Sequence, residues 1–370
     1  MQAYAPSKTI DKGKAGGSLL AHIIIQKYCN YLPLYRQSQM YKREGAEISR
    51  STMVSWIGQC SKLLSPLIEY IKESIFDSEQ IHGDDTHIKV LAPNLEKPNR
   101  EIMDICARCQ SHGDKTPPAV CYYYSPDRKG ERPVEHLKNF QGVLHADAYA
   151  GYNALYVDKG IPEGNITEAA CWAHTRRKFY DVTVVNDKAS IAVKVLEEIS
   201  KIYEIEAEIK GLDPGKRLEQ RQKRTKALVE KLFVYLKKSY GKLPKKSSTA
   251  MAIAYALNNQ TALKRFLDDG KIEIDNNAAE RAMRSIALGR KNWLFAGSDA
   301  GAEAAACMYT LIETAKLNSI NPWLYLKAVL EKIQDHPSSL EYNITLIPLC
   351  YPPLPDAYHY YHIWLSGSLL

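Results

Sequence analysis

Three carboxylates stand out by their surroundings. Asp84 sits inside IHGDDTHIKVL, a short run with strand-like alternation, and Asp147 closes a second such run, VLHADAYAGYN. Glu280 lies on the helix-prone stretch DNNAAERAMRSIALGRKNWLF. Two acids on neighbouring strands, with a third on a helix across them, can hold two divalent ions about 4 Å apart for phosphodiester chemistry. One ion would activate a water or a 3′-hydroxyl, and the other would stabilise the leaving oxygen. Hard oxygen ligands with open positions for water and phosphate select Mg²⁺ or Mn²⁺. Periodicity leaves open whether the three acids meet.

The stretch around Glu280 admits two readings. Asp275 or Asn276 caps a helix that Ala278, Ala279, Ala282 and Met283 favour, and Glu280 and Arg284 fall one turn apart on one face. Arg281, Arg284, Arg290, Lys291 and Trp293 surround a single acid, beside a Gly289 break. That pattern fits a metal-binding carboxylate flanked by cations that hold phosphates. It fits equally an amphipathic helix with i,i+4 ion pairs. Of the eight cysteines, Cys106 and Cys109 form a lone C-x-x-C. A zinc site there would need Cys121 or the Cys171/His174 pair to complete it. The scatter of the cysteines suggests no disulfide framework and favours a reducing cytoplasm.

The elements that must position these groups change character along the chain. Residues 1–76 read as a helical region after a polar start, with one helix over Leu19–Tyr41. REGAEISRSTMVSWIGQC then has the outline of a helix-turn-helix, with an ordinary helical hairpin as the alternative. Gly45 marks its turn, Ser49 or Ser51 its cap, and Val54, Trp56 and Ile57 face a core. Residues 77–186 carry the strand-like runs, PAVCYYYS among them, and end on EAACWAHTRRKFYDV, a short strand entering a basic helix. Residues 187–270 read as purely helical, with Ile191, Val195, Ile199, Ile202, Ile205 and Ile209 on one stripe. Leu228, Leu232, Tyr235 and Leu236 mark another. The many cations of this insertion form either a solvated face or a phosphate-contacting surface. Residues 271–337 add the Glu280 helix and two more helices, and 338–370 are a tail rich in Pro and Tyr without a period.

At 370 residues and 41.8 kDa, 45% hydrophobic and 25% charged, the chain has room for two or more cores. A net charge of +7 and a pI of about 8.8 permit a polyanionic partner. No apolar run reaches the roughly 18 residues of a membrane span. The start, MQAYAPSKTIDKGKAGG, lacks an apolar signal core, so a cytoplasmic location is expected.

Taken together, these motifs make the chain resemble the catalytic portion of the IS66-family transposases of bacterial insertion sequences. The segments that carry the resemblance are KYCNYLPLYRQ, HGDDTHIKVLAP, YYYSPDRKGERP, GVLHADAYAGYNALY, ITEAACWAHTRRKFYD, IYEIEAEIKG, RFLDDGKIEIDNNAAERAMRSIALGRKNWLFAGSDAG and LIETAKLN. The resemblance implies an α/β fold: a ribonuclease-H-like mixed sheet with a helical insertion at residues 187–270, preceded by a helical, helix-turn-helix-like region. It implies a DDE enzyme that cuts at element ends and joins 3′-hydroxyls to target DNA with two Mg²⁺ (or Mn²⁺) ions. Asp84 corresponds to the family's first acid, Asp147 to the acid of its DAYAGYN motif and Glu280 to that of its NNxxER motif. Asp85 stands where the family has Glu. Strand neighbours point to opposite faces, so only one of Asp84 and Asp85 is the shared ligand, and Asp84 is the choice. Asp275 rivals Glu280 but has a helix cap to form. Cys171 and His174 form a C-x-x-H similar to one that follows the second acid in some DDE enzymes with helical insertions. Either a metal site or packing that orients the active site accounts for it. Arg176, Arg177, Arg281, Arg284, Arg290 and Lys291 are the implied phosphate contacts. DNA is the implied partner, with a homo-oligomer assembled on it in a bacterial, nucleoid-associated setting.

Two departures bear on activity. Full-length family members begin with a longer N-terminal region carrying a cysteine-rich, zinc-finger-like element, and this chain starts after it. A truncated copy is therefore expected. The strand before YYYSPDR typically reads like GRxWTYVRD in the family, whereas this chain has REIMDICARCQ. Codons for MDICARC exist that, read one nucleotide later, encode Trp-Thr-Tyr-Val-Arg-Asp. Residues 99–112 are thus expected to be out of the ancestral frame, which the gene sequence decides. In a ribonuclease-H-like sheet this strand lies between the first and third. Ile102, Met103, Ile105, Cys106 and Ala107 can still pair there, and Asp104 interrupts the run at a cost if it meets the core without a partner. A catalytically inactive DNA-binding remnant and a general nuclease are the alternatives.

Overall fold

The computed structural model describes residues 8–10, 13–91, 99–106, 116–147, 150–156, 166–185 and 190–333, with 99–106 described by backbone alone. Cys109, and with it the C-x-x-C, lies outside the described residues, as do 107–112 and the tail 338–370. The chain forms two compact units: residues up to Leu63 with those from Leu311 onward, and Leu64–Thr310.

In the first unit, Gly17–Tyr28 (α1) and Leu34–Arg43 (α2) replace the single helix expected over Leu19–Tyr41. Tyr31 at φ 57° and Pro33 before α2 break the helix, because proline has no N–H to continue the ladder. Gln37, buried in the corner, donates to the carbonyls of Ile23 and Leu32 at 3.3 and 3.0 Å. Gly45 takes φ 83° at the next turn, and Ser49 caps Arg50–Phe76 (α3) by accepting from the Thr52 N–H at 3.1 Å. Ile57 is buried and Trp56 half-buried. Val54, expected in the core, is 55% exposed, because the buried stripe runs through Met53, Ile57 and Cys60 and leaves it to one side.

The second unit is built on a five-stranded sheet of Gln80–Lys89 (β1), Asn99–Cys106 (β2), Val120–Ser125 (β3), Gly142–Ala146 (β4) and Ile166–Ala170 (β5). Glu131–Leu137 (α4) leads into β4. The spatial order is β3-β2-β1-β4-β5. The first three strands pair antiparallel, and β1, β4 and β5 run parallel. The strand of unfamiliar sequence, β2, forms its ladder between β1 and β3. Gly142 opens β4 at φ 145°, where a Cβ would lie 2.4 Å from the Glu79 carbonyl oxygen, so only glycine fits.

Trp172–Val185 (α5) leaves β5, and Ser190–Glu208 (α6), Pro214–Gln220 (α7), Lys226–Tyr240 (α8), Ser248–Asn258 (α9) and Gln260–Lys264 (α10) follow, helical as the periodicity requires. Val195, Ile199, Ile202, Leu232 and Leu236 fill their shared core, with Trp172 edge-on to Phe233 and Phe266. The Trp172 indole donates to the Leu263 carbonyl at 2.7 Å, pinning the insertion to the start of α5. Arg221 lies fully buried at its centre. Its guanidinium donates to Glu206 at 2.8 and 2.7 Å, and its Nη1 to the carbonyls of Phe266, Asp269 and Ile272. A buried charge is tolerated when its donors are matched in this way. This cation of the basic insertion is an internal strut, out of reach of any phosphate.

Asn277–Trp293 (α11) packs over β1 and β2, followed by Asp299–Leu317 (α12) and Pro322–Ile333 (α13). The last helix lies along α1 in the first unit, where Thr9 donates to the Leu330 carbonyl at 2.9 Å. Among the described residues, no helix is long and apolar enough to cross a membrane.

Candidate active site

Helix α11 is fastened to the sheet at its start, middle and end. At the start, Asn276 occupies the cap position without capping; Asp275 instead accepts from the Asn277 N–H at 3.1 Å. The Asn276 side chain is fully buried. Its Oδ1 lies 3.0 Å from His82 Nδ1, and its Nδ2 donates to the Gly83 carbonyl at 2.8 Å. Its own N–H donates to Cys171 Sγ at 3.2 Å. In the middle, the Tyr122 hydroxyl donates to the Ala282 carbonyl at 2.8 Å. At the end, Arg290 Nη1 donates to Thr86 Oγ1 at 2.9 Å and to the His87 carbonyl at 2.6 Å. Gly289, expected to break the helix, lies inside it. A Cβ there would meet Tyr309 Oη at 2.6 Å and Trp293 Nε1 at 2.7 Å, so glycine serves close packing. After Leu294 at φ 61°, the Ala296 N–H returns to the Lys89 carbonyl at 2.8 Å.

The strand register brings two of the predicted acids level. Gln80, Ile81 and His82 of β1 pair with Val143, Leu144 and His145 of β4. Continued by two residues, the same register sets Asp84 opposite Asp147, which directly follows β4. Strand alternation puts Asp84 on the same side as His82, the side from which Asn276 reaches the sheet. Asp85 points the other way, into an ion pair with Arg128 at 2.6 Å. Burial pushes the Asp84 carboxyl up to about 7. The Asp85 N–H, bonded to Asp84 Oδ1 at 2.9 Å, pulls it back, and the carboxylates of Asp147, Asp85 and Glu280 raise it further. Asp147 and Glu280 both lie near enough to raise the Asp84 carboxyl through space.

Beside the acids, the imidazoles of His82 and His145 stack at 5.1 Å between the strands. Burial holds His145 down to about 3, so it stays neutral. Tyr255 reaches out of the insertion to donate to the Asp147 carbonyl at 3.0 Å, under the ammonium of Lys178. Cys171 directly precedes α5, and its sulfur also accepts from the His174 backbone N–H. His174 Nδ1 lies 3.6 Å from Glu280 Oε1. The Cys171 sulfur, a His174 ring nitrogen and a Glu280 oxygen all fall within 4.8 Å of one another. His174 and Glu280 open onto a cleft of about 270 Å³ that Arg176, Arg177 and Tyr180 also line. Arg281, Arg284 and Lys291 are exposed along α11, whereas Arg290 is engaged with β1. The residues that hold this arrangement, Asn276, Tyr255, Tyr122 and Arg128, carried no chemical signature in the sequence beyond the cap propensity of Asn276.

Residues 12–304 match the family described as "Transposase IS66 family", and residues 310–340 match the "IS66 C-terminal element". These matches place the chain among transposases. It belongs to the IS66 family. The chain is similar to three proteins of Sinorhizobium fredii described as uncharacterized. To y4qI it is 39% identical over 343 residues, which is 92% of this chain and 64% of the relative. To y4hP it is 37% identical over 356 residues, 93% and 64% respectively, and to y4jD 34% identical over 355 residues, 94% and 68%. The chain thus spans under two thirds of the length of the first two relatives.

Proposed function

We propose that this chain carries the catalytic core of a DDE transposase that cuts at element ends and joins 3′-hydroxyls to target DNA. In this reading the sheet is ribonuclease-H-like, supported by its β3-β2-β1-β4-β5 order with antiparallel and parallel halves. The observation that supports it is the strand register that sets Asp84 level with Asp147, with Glu280 on α11 near enough to raise the Asp84 carboxyl. Their donor chemistry fits hard divalent ions, and Asp84 has no ion-pair partner among the described residues. Asp84, Asp147 and Glu280 would hold Mg²⁺ or Mn²⁺, two ions that supply charge to activate the attacking hydroxyl and to stabilise the leaving oxygen.

The chain's own side chains do the rest. Arg128 holds Asp85 away from the acids, and Asn276 fixes the register of Glu280 on Asp84. Arg176 and Arg177 border the cleft and would grip phosphates, with Arg281, Arg284 and Lys291 tracking the backbone. Arg290 sets the helix and contributes its charge from there. DNA is the substrate, and copies of the chain pair on it.

A Mg²⁺-dependent strand-transfer assay with pre-cut ends tests the reading. Turnover is expected in the parent chain and is expected to vanish in Asp147→Asn, with salt-sensitive DNA binding retained. Cleavage without joining would identify a general nuclease, and binding without turnover an inactive remnant. Either result overturns the proposal.

A further inference from the structure

We infer a second metal site of softer chemistry at Cys171, His174 and Glu280, suited to Zn²⁺. It shares Glu280 with the transposase reading but rests on its own ligand set. A sulfur, an imidazole nitrogen and a carboxylate oxygen within 4.8 Å of one another make up three protein ligands. That number leaves a fourth tetrahedral position for water. Thiolate and imidazole favour Zn²⁺ over the hard ions that the three carboxylates suit.

The local structure is built for such an ion. Cys171 sits at the N-terminal edge of α5, and the first helical turn carries His174 round to the same side. The Asn276 N–H donates to the sulfur at 3.2 Å and fixes it on the side of His174 and Glu280; burial keeps the thiol protonated in the metal-free chain, so a bound cation must displace its proton. His174 Nδ1 is buried and makes no hydrogen bond, although Glu280 Oε1 is only 3.6 Å away. An ion set between His174 Nδ1 and Glu280 Oε1 would take both as ligands. The cleft lined by His174 and Glu280 gives an ion its way in. On binding, the Cys171 thiol proton leaves to solvent and the sulfur takes its place as a ligand. An ion held here draws Glu280 toward Cys171 and His174 and so competes with the ions of the acid cluster for that carboxylate.

Cobalt titration of the full chain, stripped of metal by chelation, reads the site out directly. A thiolate-to-cobalt charge-transfer band is expected in the near ultraviolet, with visible bands as strong as those of a tetrahedral ion and both displaced by Zn²⁺. Cys171→Ser should abolish the charge-transfer band. His174→Gln, which lies on the open side and spares the core, should weaken cobalt affinity with the fold intact by circular dichroism. If Cys171→Ser does not fold, unchanged cobalt affinity in His174→Gln is enough to overturn the site. Asp84→Asn should leave the spectrum unchanged, which separates this site from the acid cluster: Mg²⁺-dependent turnover can fail with the band intact. No charge-transfer band in the parent chain overturns the inference. So does a band that survives Cys171→Ser and is lost in Cys109→Ser, which would put the ion at the C-x-x-C.

Discussion

Replacing Asn276 should release the start of α11 from the strand that bears Asp84. The side chain is fully buried and uses both ends of its amide, on His82 Nδ1 at 3.0 Å and on the Gly83 carbonyl at 2.8 Å. Asn276→Ala removes both bonds and leaves their other halves inside the protein, at roughly 1–3 kcal/mol each. The unfolding free energy is expected to fall by about 2–6 kcal/mol. The backbone N–H to Cys171 Sγ survives the substitution, and Tyr122 and Arg290 still hold the middle and end of the helix, so the chain keeps its fold. Urea denaturation followed by circular dichroism measures the loss, with an unchanged denaturant slope as the sign that the native state is otherwise intact. A double-mutant cycle with His82→Leu isolates the bond, because the pair should lose about 1–2 kcal/mol less than the two single changes together. Mn²⁺ affinity should fall as well, since Glu280 lies one turn along the helix from the lost anchor. A loss under about 1 kcal/mol, or strict additivity with His82→Leu, would refute the claim that this amide sets the helix.

Further outcomes follow from the same structure. The ionised Asp84 opposes folding, increasingly so as pH rises from 3.8 to about 7, because its folded carboxyl is raised by burial and then by its acidic neighbours. Asp84→Asn should therefore stabilise the metal-free chain at alkaline pH while abolishing turnover; thermal melts showing no gain would contradict this. Arg221→Ala removes both guanidinium bonds to Glu206, leaving it only Arg217 at 3.5 Å, and should cost about 3–5 kcal/mol, seen as early melting of the helical insertion in hydrogen exchange. His136, stacked on Tyr123 at 4.5 Å, is held from 6.5 down to about 4, chiefly by burial. The unfolded chain takes up that proton first, so stability is whole above 6.5 and is lost as pH falls toward 4, by about 3 kcal/mol in all. His136→Phe should flatten that part of the pH–stability curve.

Much of the architecture was readable from periodicity. The strand runs around Asp84 and Asp147, the strand-to-helix passage through Cys171 and the helical insertion all announce themselves by alternation or by a repeating apolar stripe. The break between α1 and α2 did not, because apolar residues on both sides of Tyr31 and Pro33 keep a helical spacing that backbone geometry overrides. Gly289 misled in the opposite sense, since a glycine needed for close approach to Tyr309 and Trp293 looks the same in sequence as one that ends a helix. At the candidate site, the motifs around Asp84, Asp147 and Glu280 single these acids out in the sequence. The groups that hold them could not. Asn276 finds His82 at a separation of 194 residues, and Tyr255 finds Asp147 at 108. No local period links such pairs.

The placement of the helical insertion has a consequence for synthesis. Everything between Asp147 and Glu280 must leave the ribosome before α11 can form, and at about 5–20 residues per second that takes on the order of ten seconds. For that interval the nascent sheet displays two acids with no third to join them. A ribosome that stalls or terminates within the insertion releases a fragment that carries Asp84 and Asp147 but no Glu280.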